Sequence, residues 1–275
     1  MTSRFELHPV AIVAAKEFRD RLRNRWVLVA AAVFTAFALV IAYVGAAQQG
    51  EIGLRGIDVT IASLVSLVIY LVPLIALVLG FDSIVGERER GTLDLLLSMP
   101  ITRLELLLGK YAGLAAALAC STLIGFGVVG GLLLLKLPGA ALIHYAGFMA
   151  SAVLLGMAFL SLALMVSVLA SDRTRASGMA VALWFFFVLV FDLLALGALV
   201  VGGDRLGGDA LPYLMLFNPA DVFRIINIFG FDDVRALHGL ATVFPARLAH
   251  PALLGGAMLA WIAAPLAIAA WSFRR

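Results

Sequence analysis

Long apolar runs alternate with short polar connections along this chain. Six runs come close to the 20 or so residues needed to cross roughly 30 Å of hydrocarbon: about 26–46, 58–81, 110–135, 145–170, 178–201 and 252–272. Backbone groups in lipid must be satisfied within the segment, so these runs are predicted to be helices. A different pattern precedes them. Ala14, Phe18, Leu22 and Trp26 recur at i, i+4 spacing, while Arg19, Arg21, Arg23 and Arg25 help form a polar side. Pro9–Arg25 is therefore predicted to be an amphipathic helix in the membrane interface, its arginines toward anionic headgroups, with membrane lipids as partners. Gly45-Ala46-Ala47 resembles a signal cleavage site. Trp26–Val44 is longer than the roughly 7–15 residues of a signal core, however, so a retained span is expected.

Between the second and third runs the pattern changes again. Gly86-Glu87-Arg88-Glu89-Arg90-Gly91 gives way to Thr92-Leu93-Asp94-Leu95-Leu96-Leu97-Ser98-Met99-Pro100. Pro100 cannot donate a backbone hydrogen bond, so a helix over Thr92–Ser98 should stop near it. Leu93, Leu96 and Leu97 fall at i, i+3, i+4 on one apolar face, with Asp94 and Ser98 away from it. Thr102 and Glu105 have capping-box spacing for a new helix that runs into the third span. The expectation is a short amphipathic helix held at the membrane surface, which a soluble partner can grip.

Composition agrees with a polytopic membrane protein: 63% hydrophobic, 13% charged, mean hydropathy +1.08. Orientation follows from the basic residues. One side holds Arg4, Lys16, Arg19, Arg21, Arg23, Arg25, Arg88, Arg90, Arg103, Lys110, Arg173, Arg175, Arg274 and Arg275, leaving Arg55, Lys136, Arg205, Arg224, Arg235 and Arg247 on the other. Both termini and the 86–105 segment are expected to be cytoplasmic. The basic residues cluster at span ends and form no run interleaved with aromatics, so no nucleic-acid partner is expected. The single cysteine, Cys120, lies in an apolar run and excludes an intramolecular disulfide.

The remaining chemistry is sparse. Asp192 lies well inside the fifth span, where an acid costs about 2.5–3.5 kcal/mol and so faces a bundle interior or a cavity. No Lys or Arg falls inside a span to pair with it, which leaves a protonated acid, a dimer seam, a structural hydrogen bond, or a role in gating or cargo passage. The only long external segment, 202–250, opens with Gly202-Gly203-Asp204 and Gly207-Gly208-Asp209 turns, and Asn218-Pro219 has the form of a helix start. One or two re-entrant or interfacial helices are expected there. Gly125-Phe126-Gly127-Val128-Val129-Gly130 matches a dinucleotide fingerprint but sits in mid-span. Its reading is packing, with Gly127 and Gly131 letting a helix of this or a second chain come close. Met149, Met157 and Met165 spiral around the fourth span and are read as core. No phosphate-binding loop, HExxH or GxSxG is present, so no cofactor, metal or catalytic residue is expected in this chain.

Gly86–Leu93, Ser98–Arg103 and Glu105 through Gly109-Lys110 resemble the cytoplasmic loop of ABC-2-type transporter permeases, and Lys16-Glu17-Phe18-Arg19-Asp20 with Arg25-Trp26 resembles their N-terminal elbow helix. The resemblance implies one all-α transmembrane domain over 1–275: six spans, elbow helix (1–25), coupling segment (86–105) and external helices (202–250). It implies a second copy of the chain, a cytoplasmic ATPase dimer that carries ATP and Mg, and a bacterial inner-membrane location. The coupling segment, Gly86, Glu87, Arg88, Glu89, Arg90, Gly91, Thr92, Leu93, Leu96 and Leu97, would dock the ATPase. Leu93, Leu96 and Leu97 would be its anchors, with the four charges setting orientation. Ile61-Ala62-Ser63-Leu64, Pro73-Leu74-Ile75-Ala76-Leu77, Asp82–Glu87 and Asn218-Pro219-Ala220-Asp221-Val222-Phe223-Arg224 resemble the branch that serves maturation of the copper–sulfur centre of periplasmic nitrous oxide reductase. That branch implies a periplasmic β-helical partner. Asn218, Asp221, Phe223 and Arg224 are the expected external docking residues, and Asp192 the expected gate or path residue. A general ABC-2 exporter of a small molecule or lipid and a non-transporting membrane scaffold are the alternatives. The cargo stays open among a sulfur species, copper and purely mechanical coupling.

Overall fold

A computed structural model describes residues 6–23, 26–47, 57–134, 139–202, 213–228 and 250–273. Every regular element among them is helical: α1 (Leu7–Arg23), α2 (Trp26–Ala47), α3 (Ile57–Gly80), α4 (Val85–Glu89), α5 (Thr92–Leu97), α6 (Arg103–Leu134), α7 (Gly139–Leu169), α8 (Arg173–Phe185), a π-helical turn (Phe186–Val190), α9 (Phe191–Gly202), α10 (Pro219–Ile228) and α11 (Pro251–Phe273). Five stretches are long and apolar enough to span a membrane, and Leu7–Arg23 with Leu28–Ile41 makes a sixth when that bent pair counts as one. The elbow helix begins at Leu7, two residues before the predicted start, with Pro9 in its first turn where a missing N–H costs nothing. The fifth span also starts early, at Arg173, because Asp172 caps it. The Gly203–Asp209 turns and Arg4, Arg25, Arg55, Lys136, Arg205, Arg235, Arg247, Arg274 and Arg275 lie outside the described residues.

Helix α7 is the axis of the bundle. It touches α3, α6, α10 and α11, and its most apolar window is 72% buried. Apolar side chains gain nothing by leaving lipid for protein, so close packing and satisfied polar groups hold such a core together. An aromatic chain does part of this: Phe34, Phe126, Phe148 and Phe223 stack in succession at centroid distances of 5.2, 5.4 and 6.2 Å. The Tyr145 hydroxyl donates to the Phe126 carbonyl at 2.8 Å, and Ser161 donates to the Trp261 carbonyl at 3.0 Å. Met149, Met157 and Met165 pack against this core, as their spiral placement predicts.

Glycine spacing decides which helices come close. A Cβ on Gly109 would lie 2.6 Å from Val13 Cβ, and one on Gly113 would lie 2.5 Å from the Ala14 carbonyl oxygen. Elbow helix α1 is thus seated in a notch cut into α6. Gly125 makes the same allowance for Phe34 of α2. Gly127 and Gly131, the pair expected to admit a close helix, have nothing within 4 Å among the described residues. Among the described residues they pack no partner. The alternate glycines Gly125 and Gly130, one helical face away, do that work instead.

Candidate functional site

The loop between α3 and α6 folds into two short helices. Gly91 joins them with φ +70°, a left-handed conformation that side-chain-bearing residues adopt at a cost. α5 ends at Leu97, ahead of Pro100, as predicted. The Thr102–Glu105 capping box forms in both directions: Thr102 N–H donates to Glu105 Oε2 at 2.7 Å, and Glu105 N–H donates to Thr102 Oγ1 at 3.2 Å. Glu105 Oε1 also accepts the Glu6 N–H at 2.7 Å, which pins the start of α1 to the start of α6.

α4 is clasped to the C-terminal end of α7 by reciprocal capping. The N–H groups of Ile84 and Val85 both donate to Ser167 Oγ, at 2.9 and 3.1 Å. In return the Arg88 guanidinium donates to the carbonyls of Ala170 and Val168, at 2.9 and 3.2 Å, satisfying the frayed C-terminus of α7. Glu89 Oε1 accepts the Arg173 N–H at 2.7 Å, and Asp82 Oδ1 pairs with Arg173 Nε at 2.7 Å. Gly86 leaves room for the Asp82 carboxylate, which a Cβ there would push out of its present position beside Arg173. The segment is therefore fastened to α7 and to the start of the fifth span.

On its other side the segment meets α1 and α6 through one buried cation. Lys110 Nζ lies 2.7 Å from Glu87 Oε1 and 3.3 Å from Glu17 Oε2, and its side chain is 4% exposed. Glu17 Oε1 also takes Arg21 at 3.2 Å. A cleft of about 280 Å³ opens beside this cluster, lined among others by Lys16, Asp20, Asp82 and Arg90.

These contacts revise the expected docking surface. Three of the four loop charges are engaged within the chain: Glu87 on the buried Lys110, and the exposed Arg88 and Glu89 on the carbonyls that end α7 and on the Arg173 N–H. Arg88, Glu89 and Arg90 are all exposed residues, and Arg90 alone of the four has neither a side-chain hydrogen bond nor an ion pair among the described residues. Leu93 is buried at 7% exposure, and Leu96 and Leu97 pack on the same core. The periodicity located the apolar face correctly, but that face meets the protein's own spans. The outward surface is carried by Leu95 and Met99, 69% and 53% exposed, with Asp94 and Ser98 beside them.

The second expected site lies toward the other end of the bundle. Asp192 does have a cationic partner: Arg224 of α10, whose Nη2 sits 3.0 Å from Asp192 Oδ2. Arg224 also pairs with Asp221, and Asp221 Oδ2 accepts from Asn218 Nδ2 at 3.0 Å. The partner lies outside the spans, in the 202–250 segment, which is why no Lys or Arg within a span pairs with Asp192. Asn218 Nδ2 also donates to the Phe187 carbonyl at 2.9 Å, at the π-helical turn where the regular hydrogen-bond ladder is interrupted. Asn218, Asp221 and Phe223 are buried at 0%, 1% and 0%, so they hold α10 to the bundle and present no external surface. Of the four external docking residues, Arg224 alone reaches the surface in part.

Lys110, Glu17, Ser167 and Arg173 escaped the sequence reading as site residues. The signal for the first two was an acid amid the arginines of α1 and a lysine leading an apolar run. Ser167 and Arg173 gave none. With the geometry in place, likeness to known proteins can be weighed. Residues 11–275 match the family described as ABC-2 family transporter protein. The chain is 45% identical over 267 residues to the probable ABC transporter permease protein NosY of Pseudomonas aeruginosa strain PAO1, covering 96% of this chain and 97% of that one. It is 42% identical over 267 residues, with the same coverage, to the probable ABC transporter permease protein NosY of Stutzerimonas stutzeri.

Proposed function

Because this chain belongs to the ABC-2 transporter family and is a multi-pass permease subunit, we propose that it links a separate cytoplasmic ATP-binding dimer to the outer side of the bacterial inner membrane. The permease works as two copies, with both termini in the cytoplasm and ATP and Mg bound by the partner. The system it serves is maturation of the copper–sulfur centre of nitrous oxide reductase, with a β-helical periplasmic partner near the external segment. The chain itself contributes a moving scaffold and no hydrolytic chemistry.

One observation carries the reading: the 86–105 segment is rigidly fastened to α7 and α8, yet leaves Leu95, Met99 and Arg90 outward. A loop that only connected two spans would have no need of a reciprocal clasp. Displacement of the segment pulls on Arg173 at the inner end of the fifth span. That span carries Asp192, and through it Arg224 and α10, toward the outer end. The π-helical turn between them supplies a place where the rod can bend.

The test is Leu95→Asp with Met99→Asp. Both side chains are exposed, so insertion and thermal stability should match the parent while recovery of the ATP-binding subunit on purification falls at least tenfold. Leu93→Ala is the contrasting variant, expected to destabilise the permease by about 2–4 kcal/mol through a core cavity. Full recovery of the ATP-binding subunit with the double aspartate variant would overturn the docking role. Co-purification of an ATP-binding subunit with no periplasmic protein would favour a general exporter over the maturation role.

A further inference from the structure

Lys110 has more counter-charge than one buried lysine requires. Both Glu17 and Glu87 reach it, from α1 and from the coupling segment respectively. The two carboxylates are held differently. Glu17 is saturated, one oxygen on Lys110 and the other on Arg21, and its helix is locked into the Gly109 and Gly113 notch of α6. Glu87 uses only Oε1, and its Oε2 is buried with no hydrogen-bond donor among the described residues. It also borders an open cleft whose wall includes Arg90, a cation without an ion pair among the described residues. One partner of Lys110 is thus fixed to α6, while the other rides on the segment that the proposed ATPase contact would move.

We infer that Glu17 and Glu87 share Lys110 so that the coupling segment can part from α6 without stranding a buried charge. Removing the only partner of a buried ion leaves it uncompensated, which is among the costliest single changes a protein can suffer. With Glu17 in place, Lys110 stays paired when Glu87 leaves. Glu87 itself moves into the cleft, where water and Arg90 receive it. The joint is closed at rest and reversible, and Glu17 makes it so although it never moves. Among the charges lining this cleft, Arg21 holds Glu17, and Lys16 is paired with Asp20 at 3.2 Å along α1.

This inference rests on the docking reading, and its experiment separates the two. Spin labels at Arg19→Cys on α1 and Asp94→Cys on the coupling segment, both exposed and outside the joint, in a Cys120→Ser background, report the opening by pulsed electron resonance in lipid nanodiscs. In the permease alone, Glu87→Gln should shift most of the population to a longer or broader distance, while Glu17→Gln should leave it unchanged. In the complex with a hydrolysis-deficient ATP-binding subunit, ATP should lengthen the parent distance. Glu17→Gln should cut that ATP-shifted population at least fivefold with complex recovery intact, and Glu17→Asp should restore it. If Glu87→Gln leaves the permease-alone distance untouched, the shared-lysine joint is wrong whether or not the ATPase binds. It is equally wrong if Glu17→Gln opens with ATP as fully as the parent does. Failure of the parent chain to recover the ATP-binding subunit sinks the docking reading instead, and the permease-alone comparison still decides the joint.

Discussion

Leu93 and Leu95 are two positions apart and have opposite fates, one 7% and the other 69% exposed. The leucine face could be drawn from spacing, but not the identity of what it would meet. Single polar residues behave the same way. Asp172 is the N-cap of α8; its Oδ1 accepts the Arg175 N–H at 2.8 Å, and Ser171 Oγ donates to Oδ2 at 2.9 Å. The Arg175 backbone bond first, and the Ser171 hydroxyl second, hold this carboxyl below the usual carboxylate range. A depressed folded value means that the cap's contribution is fully present above the ordinary carboxylate value, near 4, and is lost as pH falls through the lower folded one. Hydrogen exchange at the Arg175 amide should therefore stay slow down to about pH 4 and accelerate, relative to neighbouring helical amides, only below it. Asp172→Asn should flatten that dependence.

At the scale of elements, small residues decide adjacency. Gly113→Val puts side-chain atoms where the Ala14 carbonyl and Glu17 Cβ already sit, within 2.7 Å of the new Cβ. α1 must lift from α6, at a cost of about 1–3 kcal/mol, read as a fall in the midpoint of thermal unfolding in detergent. Gly127→Val should leave the monomer's midpoint unchanged, since nothing among the described residues lies within 4 Å of an added Cβ there. A fall in dimer recovery with that variant would identify Gly127 as a contact between copies. The α10 clasp makes an equally asymmetric case. Arg224→Met leaves Asp221, whose side chain is 1% exposed, without its cation and should destabilise the fold by about 3–5 kcal/mol. Asp192→Asn should cost clearly less, because Asp192 is 39% exposed and Arg224 keeps Asp221. The same thermal assay ranks the two.

For the whole molecule, the consequence is a line of fixed joints along one span. Arg173 ties the N-terminal end of the fifth span to Asp82 and Glu89, and Asn218 and Arg224 tie its C-terminal half to α10. Arg173→Ala cuts the Asp82 pair at the N-terminal end and leaves the outward face of α5 untouched. The expected result is an assembly that still recovers its ATP-binding subunit and hydrolyses ATP, but loses ATP-dependent crosslinking changes at residues 213–228. Retained crosslinking changes would move the transmission route to α6 or α7.

The order of spans, the elbow helix, the Pro100 stop, the Thr102–Glu105 cap and the helix starting at Asn218-Pro219 were all settled by the chain itself. Each depends on local hydrogen bonding or on apolar run length, and both are set within a few turns of backbone. Which side of an amphipathic helix faces inward depends instead on what other segments bring within reach. Glu105 finds Glu6, Lys110 finds Glu17 and Glu87, and Asp192 finds Arg224, over separations of 99, 93, 23 and 32 residues. Charges that read as solvent-facing in one dimension became internal fastenings because a membrane bundle has few other ways to satisfy a carboxylate or a free helix end.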